Sequence, residues 1–467
     1  MIIISKTKGF NEDNLGKYSK KLLSYSPQKH RFKFEKKPTE LKILRILCQR
    51  PYFTGSGINL VNLIQKTNEN NINQTVIYAQ PAGEPDPLEK IKNPFKTFPV
   101  TFVNTKYPEI EADIPFPVAG MSDEMPYEST KFSTFNEEML EHYLEGFSKH
   151  LNAILSKFDP NLIHSHHLWL ITALCRVLFP NIPILATSHN TGLRQMVLSP
   201  QLANFVKMLI HDIDAIAVID ENQQKRIEDL YEFPMNSSHK KKFFHIGQAI
   251  NTRIFLPPKH PKILSKNEPL KLIYVGKLSY SKGLPELIKA FKQVSQEIEI
   301  PLQLYIIGSG KGKQKDNIIK MGNKNGENIF FLGQLDQEKL AIYLRENDLF
   351  VLPSFYDGFP KVLLEALSSG CRAIITDLPG IRSTLFKKCG PSNIIQFLPL
   401  PEMKSIDEPV LEDIPFFIEN LKSLIKKQLE AIASNDFDYK YANKVRDEFG
   451  WDKLFQIYLE KYKEFAF

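Results

Sequence analysis

From residue 41 onward the chain repeats one pattern: a short apolar run, a stretch with helical spacing, then another apolar run. LKILRILC (41–48), QTVIYAQ (74–80), NLIHSH (161–166), PILATSH (183–189), AIAVID (215–220) and FFHIG (243–247) form a first series of strands. Between them, Ile58–Leu63 opens a helix and NEEMLEHYLEGFSKHLNAILSKF (136–158) carries apolar residues at helical spacing. Such alternation buries near-continuous apolar strands between helices, which requires a mostly parallel sheet covered on both faces. At 255–270 the text becomes FLPPKHPKILSKNEPL, punctuated as a linker. A second series follows: LKLIYVG (270–276), LQLYIIG (302–308), NIFFLG (328–333), LFVLP (349–353) and CRAIITD (371–377), with helices at 283–297, 336–346 and 360–369. After 408 the pattern is helical. Residues 81–134, rich in proline and polar residues, read as a long excursion over the surface.

The expected architecture is α/β, with two doubly wound domains whose facing strand ends form a cleft, because ligands of parallel sheets bind beyond the carboxyl ends of the strands. The expected boundaries are a basic extension over 1–40, domains at 41–255 and 256–436, and a helical tail at 437–467. A length of 467 residues suits about two to three domains.

Charge narrows the function classes. The net charge is +7, and residues 1–40 hold ten Lys/Arg against four acids, so the remainder is near neutral. A basic body wrapped in nucleic acid is disfavoured on this balance. The leader is expected to be either solvated or in peripheral contact with an anionic membrane. Cys48, Cys175, Cys371 and Cys389 form no C-x-x-C, which disfavours a disulfide framework or thiolate zinc site and suits the cytoplasm. The apolar run at the start is too short for a signal peptide, and Leu168–Leu174 falls far short of the ~20 residues that span a bilayer.

Four segments could carry chemistry. In LFVLPSFYDGFPKVLLEALSSGC (349–371) a strand gives way to a loop and a helix near Pro360. The amides of Gly358, Phe359 and Lys361 would lie at the positive helix end, which suits a phosphate. Asp357 and Glu365 could both meet one elongated ligand through its hydroxyls; the plainer reading is a dipole-favouring acid and a solvated glutamate. In LIYVGKLSYSKG (272–283), Lys277 and Lys282 follow a strand in a loop with Gly276 and Gly283, placed to clamp a diphosphate or merely exposed. TGSG (54–57) puts Gly55, Ser56 and Gly57 after the first strand, either for close ligand approach or as a plain turn; G-x-G-x-x-G is absent. In HSHHLW (164–169) and SHNTG (188–192), His166 and His189 fall at strand ends; zinc is disfavoured for want of a carboxylate or thiolate. HDID (211–214) precedes a strand and reads as a connector, and GSGKGK (308–313) lacks the phosphate-loop ending.

Taken in order, these segments resemble the glycosyltransferases of family 4 (group 1), a retaining family of GT-B fold with two Rossmann-like domains. GKLSYSK resembles G-R-L-x-x-x-K, with Lys277 for the usual Arg and Lys282 matching. PSFYDGFPKVLLEALSSG resembles P-S-x-x-E-G-x₆-E-A-x-x-x-G, with Asp357 for the first Glu and Glu365 matching the second. IHSHH resembles the acceptor-side His motif through His166, and FGW (449–451) resembles the point after which a C-terminal helix returns to the N-terminal domain.

The resemblance implies a nucleotide-sugar donor and a carbohydrate or glycoconjugate acceptor. Lys277 and Lys282 would hold the diphosphate, Glu365 the ribose hydroxyls and Asp357 the donor sugar. Gly55–Gly57 would approach the donor phosphate, and His166 the reacting face. It implies retention by front-face transfer with neither metal nor cofactor, in or beside the cytoplasm. The alternatives are a catalytically weak sugar-nucleotide-binding or scaffolding protein, or a GT-B-like epimerase or phosphorylase; a phosphorylase of the glycogen type would need a lysine-bound pyridoxal phosphate.

Overall fold

A computed structural model describes residues 39–91, 95–122, 125–234, 240–260, 262, 268–324, 328–405 and 407–467. The leader, up to residue 38, lies outside the described residues. The chain forms two compact units: residues up to Gly247 together with Phe455–Phe467, and Gln248–Leu454.

The first unit holds a seven-stranded parallel sheet. Its strands are β1 (Lys42–Leu47), β2 (Asn73–Pro81), β3 (Lys96–Phe102), β6 (Leu162–His166), β7 (Ile184–Thr187), β8 (Ala215–Val218) and β9 (Phe243–His245). Their order is β3-β2-β1-β6-β7-β8-β9, while β4 (Ala119–Gly120) and β5 (Thr130–Lys131) make a separate small ribbon. Helices α1 (Gly55–Glu69), α2 (Glu137–Phe158), α3 (Leu170–Leu178), α4 (Asn190–Leu198), α5 (Pro200–Ile210) and α6 (Glu221–Tyr231) connect them. Local chemistry sets several starts. Thr54, Asn136 and Asp220 each accept an amide hydrogen from the residue three positions on, which satisfies one of the orphan donors of a first turn.

The second unit repeats the scheme. Strands β10 (Leu270–Val275), β11 (Leu302–Ile307), β12 (Ile329–Gly333), β13 (Leu349–Leu352), β14 (Arg372–Thr376) and β15 (Ile395–Leu398) form a parallel sheet ordered β12-β11-β10-β13-β14-β15. Helices α7 (Leu284–Glu297), α8 (Gly312–Asn323), α9 (Gln337–Glu346), α10 (Lys361–Ser368), α11 (Ile381–Cys389), α12 (Ile414–Ala433) and α13 (Tyr439–Phe449) cover it. The last helix, α14 (Trp451–Ala466), begins in this unit and belongs to the first from Phe455 on. Among the described residues no helix is long and apolar enough to cross a membrane.

One expectation is corrected. Residues 81–134 are not an excursion over the surface. Lys96–Phe102 pairs with β2 from Thr75↔Lys96 to Pro81↔Phe102, at the edge of the sheet. Phe102, Ile114, Phe116, Val118 and Phe132 are buried in the unit's core. Phe102 meets Phe116, Tyr143 and Phe147 at ring separations of 6.0, 6.3 and 6.2 Å. Pro99 obscured the strand, because a residue without an amide hydrogen argues against a central strand yet is tolerated at an edge. Truncating Phe102 to Ala is expected to cost about 3–5 kcal/mol. At about 2–4 °C per kcal/mol for domains of this size, thermal unfolding should show a drop of several degrees or more. A surface excursion would tolerate the change within about 0.5 kcal/mol.

Candidate active site

In the second sheet the strand order is 3-2-1-4-5-6 in the unit's own count, so the chain reverses direction across the sheet between β10 and β13. A crevice opens beyond the carboxyl ends of the strands at such a point. The segments that follow these two strands are the two singled out from the sequence. They are tied to each other: Phe355 N–H donates to Ser281 O at 2.9 Å. Gly283 has φ +63°, and a Cβ there would sit 1.9 Å from Pro353 O, so only glycine lets the two loops meet. Lys282 Nζ donates to Tyr356 O at 3.0 Å and to Asp357 Oδ2 at 2.8 Å. Lys282 is therefore not an isolated, solvated cation; it and Asp357 form a half-buried ion pair.

The other residues on this side divide by exposure. Lys277 and Gly358 are exposed, and a Cβ on Gly358 would meet nothing within 4 Å. The Gly276 amide is already committed to Ile307 O at 3.0 Å. Phe359 stacks on Phe449 at 5.9 Å, and buried Pro360 immediately precedes α10, one position earlier than expected. Glu365 is only 7% exposed, with Lys361 Nζ 3.9 Å from Oε1. Burial raises its carboxyl above the ordinary value, and Lys361 partly opposes the shift. The solvated-glutamate reading is thus wrong for Glu365; it is a buried carboxylate inside a helix.

The first unit has the same geometry. Its order reverses between β1 and β6, which pair with Arg45 opposite His164. After β1, Ser56 Oγ donates to Gln49 Oε1 at 2.8 Å, and Gly57 N–H donates to Thr54 Oγ1 at 3.1 Å. A Cβ on Gly57 would lie 2.7 Å from Arg50 O, whereas one on Gly55 would meet nothing within 4 Å. Of these three positions only Gly55 offers open backbone. After β6, His167 adopts φ +70°, uncommon for a non-glycine residue, and its Nε2 lies 3.1 Å from Gln49 Oε1. His166 Nδ1 lies 3.1 Å from His189 Nε2. The rings of His164 and His166 stack at 5.0 Å, and those of His166 and His189 at 5.4 Å. Both chemically promising segments of this unit therefore also flank its reversal point. Asp214 of HDID instead accepts from Arg176 at 3.1 Å and from the Ile184 amide at 2.8 Å, as a connector would.

The model for glycosyl transferases group 1 matches residues 257–388, and that for glycosyltransferase family 4 matches residues 61–239, one in each unit. The chain belongs to the group 1, family 4 glycosyltransferases. Glycogen synthase of Mycobacterium tuberculosis is 25% identical over 251 residues, which is 50% of this chain and 58% of that protein. The chain thus matches less than two thirds of the length of that relative. A putative teichuronic acid biosynthesis glycosyltransferase of Bacillus subtilis is 34% identical over 116 residues, 25% of this chain and 26% of that one. In fold, the chain resembles sucrose-phosphate synthase from Thermosynechococcus elongatus with a TM-score of 0.59 at 18% identity, covering 91% of this chain and 99% of that one. It resembles the catalytic domain of Arabidopsis thaliana starch synthase IV, bound to ADP and acarbose, with a TM-score of 0.59 at 15% identity, covering 92% and 100%. The family and the GT-B fold stand as expected from the sequence.

Within this family member, two residues escaped the sequence reading. Gln49 joins the loops after β1 and β6, and only its place at the end of an apolar strand hinted at it. Arg45 gave a stronger signal, a cation inside LKILRILC; it is fully buried. Among the described residues no group of three or more His, Cys, Asp or Glu could hold a metal ion.

Burial makes the histidines neutral. His164, His166 and His167 are all held well below their usual value, first by burial and then by neighbouring positive or imidazole groups. Burial takes His189 from 6.5 to about 4. In the unfolded chain each imidazole takes up a proton near pH 6.5, while the folded chain resists it. The stability that each contributes is therefore present above about pH 6.5 and lost as pH falls below it, at up to about 1.4 kcal/mol per pH unit per histidine. Melting temperatures measured from pH 7 down to pH 5 should fall steadily. A flat profile over that window would mean that these rings titrate normally in the folded protein.

Proposed function

We propose that this chain moves a sugar from a nucleotide-sugar donor to a carbohydrate or glycoconjugate acceptor, with retention of anomeric configuration and without metal or other cofactor. The observation that carries the proposal is the second unit's reversal point, where Lys282, Asp357 and buried Glu365 come from the two segments that flank it. Lys277 and Lys282 would hold the diphosphate and stabilise its departure, and the amide end of α10 would add to that field. Glu365 would accept from the ribose hydroxyls and Asp357 from a donor-sugar hydroxyl. Support for a nucleotide comes from relatives in fold: starch synthase IV is bound to ADP, and HepE of Anabaena is in complex with UDP.

In this reading the acceptor attacks the face from which the diphosphate leaves, and the departing phosphate oxygen takes the acceptor's proton. The protein supplies position and charge rather than a covalent intermediate. His166, in the first unit, would line the reacting face as a neutral hydrogen-bonding group. Hexosyl transfer and a peripheral contact of the leader with anionic lipid belong to the same proposal. The Lys282–Asp357 pair favours one second reading: a protein that binds sugar nucleotides without turning them over, since each charge already satisfies the other.

Incubation with a panel of nucleotide sugars separates the two readings. Release of free nucleoside diphosphate, unchanged by EDTA, with an α-configured product from an α-configured donor, is the expected result. Donor bound but unchanged would favour the binder; loss in EDTA restored by Mn²⁺, or an inverted product, would overturn the mechanism.

Glu365→Gln provides a separate measurement. Removing a buried charge whose carboxyl is raised by burial should leave melting at pH 7 unchanged or higher. Losing a charged acceptor for ribose should weaken nucleoside diphosphate binding by about 1.5–3 kcal/mol in calorimetry. Wild-type affinity in that variant would remove Glu365 from the donor site.

A further inference from the structure

The two lysines of the second unit's site differ in what holds them. The Lys282 ammonium is fixed by Tyr356 O and by Asp357. The Lys277 side chain is exposed, and its ammonium has no hydrogen-bond or ion-pair partner among the described residues. A cation that no neighbour fixes takes its place from its backbone alone. That backbone is held from beneath. Tyr274, fully buried on β10, donates its hydroxyl to Lys277 O at 2.7 Å. The same carbonyl accepts from Ser279 N–H at 3.0 Å, so both of its lone pairs are used. The turn is closed on its other side by Leu278 N–H, which donates to Ser309 O at 3.0 Å.

Gly276 leaves room for this bond. A Cβ there would lie 2.8 Å from Tyr274 Oη and 3.1 Å from Cζ, so a larger residue would push the hydroxyl away from Lys277. A phenylalanine would fill the same core position, and a buried hydroxyl costs free energy unless it is bonded. What tyrosine adds here is therefore the one bond to Lys277 O. Burial first, and then the nearby Asp357 charge, raise the Tyr274 hydroxyl above its ordinary value, so it stays a donor. Its proton goes to Lys277 O and not to the Asp357 carboxylate, which keeps Lys282 as its partner.

We infer that Tyr274 is a positioning residue: its hydroxyl fixes the turn at Gly276–Ser279, and with it the point from which Lys277 reaches a diphosphate. The inference deepens the proposed function and rests on it for the identity of the ligand as a nucleoside diphosphate group. It gives the two lysines separate parts. Lys282 is bound into the Asp357 loop, and its charge is partly spent there. Lys277 brings the uncommitted charge, and its aim depends on a residue that never touches the ligand.

Tyr274→Phe removes one oxygen and keeps the ring, so the core stays filled. Amide hydrogen exchange of the full chain reads the turn directly. The Leu278 and Ser279 amides should exchange about 3- to 10-fold faster in the variant, the range that one buried hydrogen bond is worth, while the Gly276 amide on Ile307 O keeps its rate. Calorimetry with UDP and with ADP reads the consequence. The substitution should weaken the nucleotide that binds by about fivefold in the wild-type background, and by less than about twofold in a Lys277→Ala background, because the hydroxyl acts through Lys277. A turn that only packs the core would cost the same affinity in both backgrounds. Wild-type exchange at Ser279, wild-type affinity, or equal losses with and without Lys277 would overturn the inference. If the wild-type chain binds neither nucleotide, the proposed donor class fails on its own, and the exchange rates still decide whether Tyr274 holds the turn.

Discussion

The arrangement of the first unit depends on one buried cation. Arg45 is fully buried on β1, and its described hydrogen-bond partners are neutral: Gln74 Oε1 at 2.8 Å, His164 Nδ1 at 2.9 Å, Tyr462 Oη at 3.2 Å, and the Thr67 hydroxyl. A guanidinium taken from water is costly unless its donors are satisfied, and its planar fork can satisfy several acceptors at once. The consequences run outward. Because Arg45 and Tyr462 both donate to His164 Nδ1, His164 must carry its proton on Nε2 and donate it to Thr187 Oγ1. Thr187 in turn meets Tyr458 Oη at 2.7 Å. The two tyrosines belong to α14, so the chain's last helix is fastened to the first sheet by a polar network instead of apolar contact alone. Burial first, and then the Arg45 charge, keep His164 unprotonated.

The second unit solves a different problem with different means. Its site is organised by backbone approach: a Cβ on Gly283 would collide with Pro353 O, and one on Gly308 would lie 1.9 Å from Gly276 O. These contacts draw the segments after β10, β11 and β13 together, so that Lys282 and Asp357 meet without a buried scaffold of side-chain bonds. The charges here remain partly exposed, with side chains 19% and 26% accessible for Lys282 and Asp357. The pair stands at the reversal point, where the segments after β10 and β13 meet.

Much of this was legible in the sequence, and the parts that were not share a cause. Strands buried on both faces announce themselves as continuous apolar runs, so β1, β6, β10 and β13 were read to within a residue or two. Of the four edge strands, β9 and β12 were legible as apolar runs, whereas β3, which carries Lys96 and Pro99, and β15 were not. The lysine loop and the Asp357–Glu365 helix were visible because each lies within one continuous segment. Their mutual contact was not, since 75 positions separate Lys282 from Asp357. The same limit hid the place of Gln49 beside the histidines, which were themselves legible at strand ends. Gln49, His166 and His189 come from three different strand ends, and only the order β1-β6-β7 brings them side by side.

The two units differ in the chemistry they present. A phosphate asks for mobile or partly solvated cations and free amides, and it would be held poorly by neutral rings. A sugar hydroxyl asks for fixed, uncharged donors and acceptors, whose directions matter more than their field. The second unit offers lysines, a helix amide end and one buried carboxylate. The first offers imidazoles held neutral chiefly by burial, with the proton of His164 set by its contact with Arg45. Replacing Arg45 alone by an apolar residue of similar volume would leave acceptors such as Gln74 Oε1 buried without their donor, at a cost of about 1–3 kcal/mol for each group left unpaired. It would also free Nδ1 of His164 to carry a proton. The cation therefore both orders the proton of His164 and holds together the buried polar groups around it.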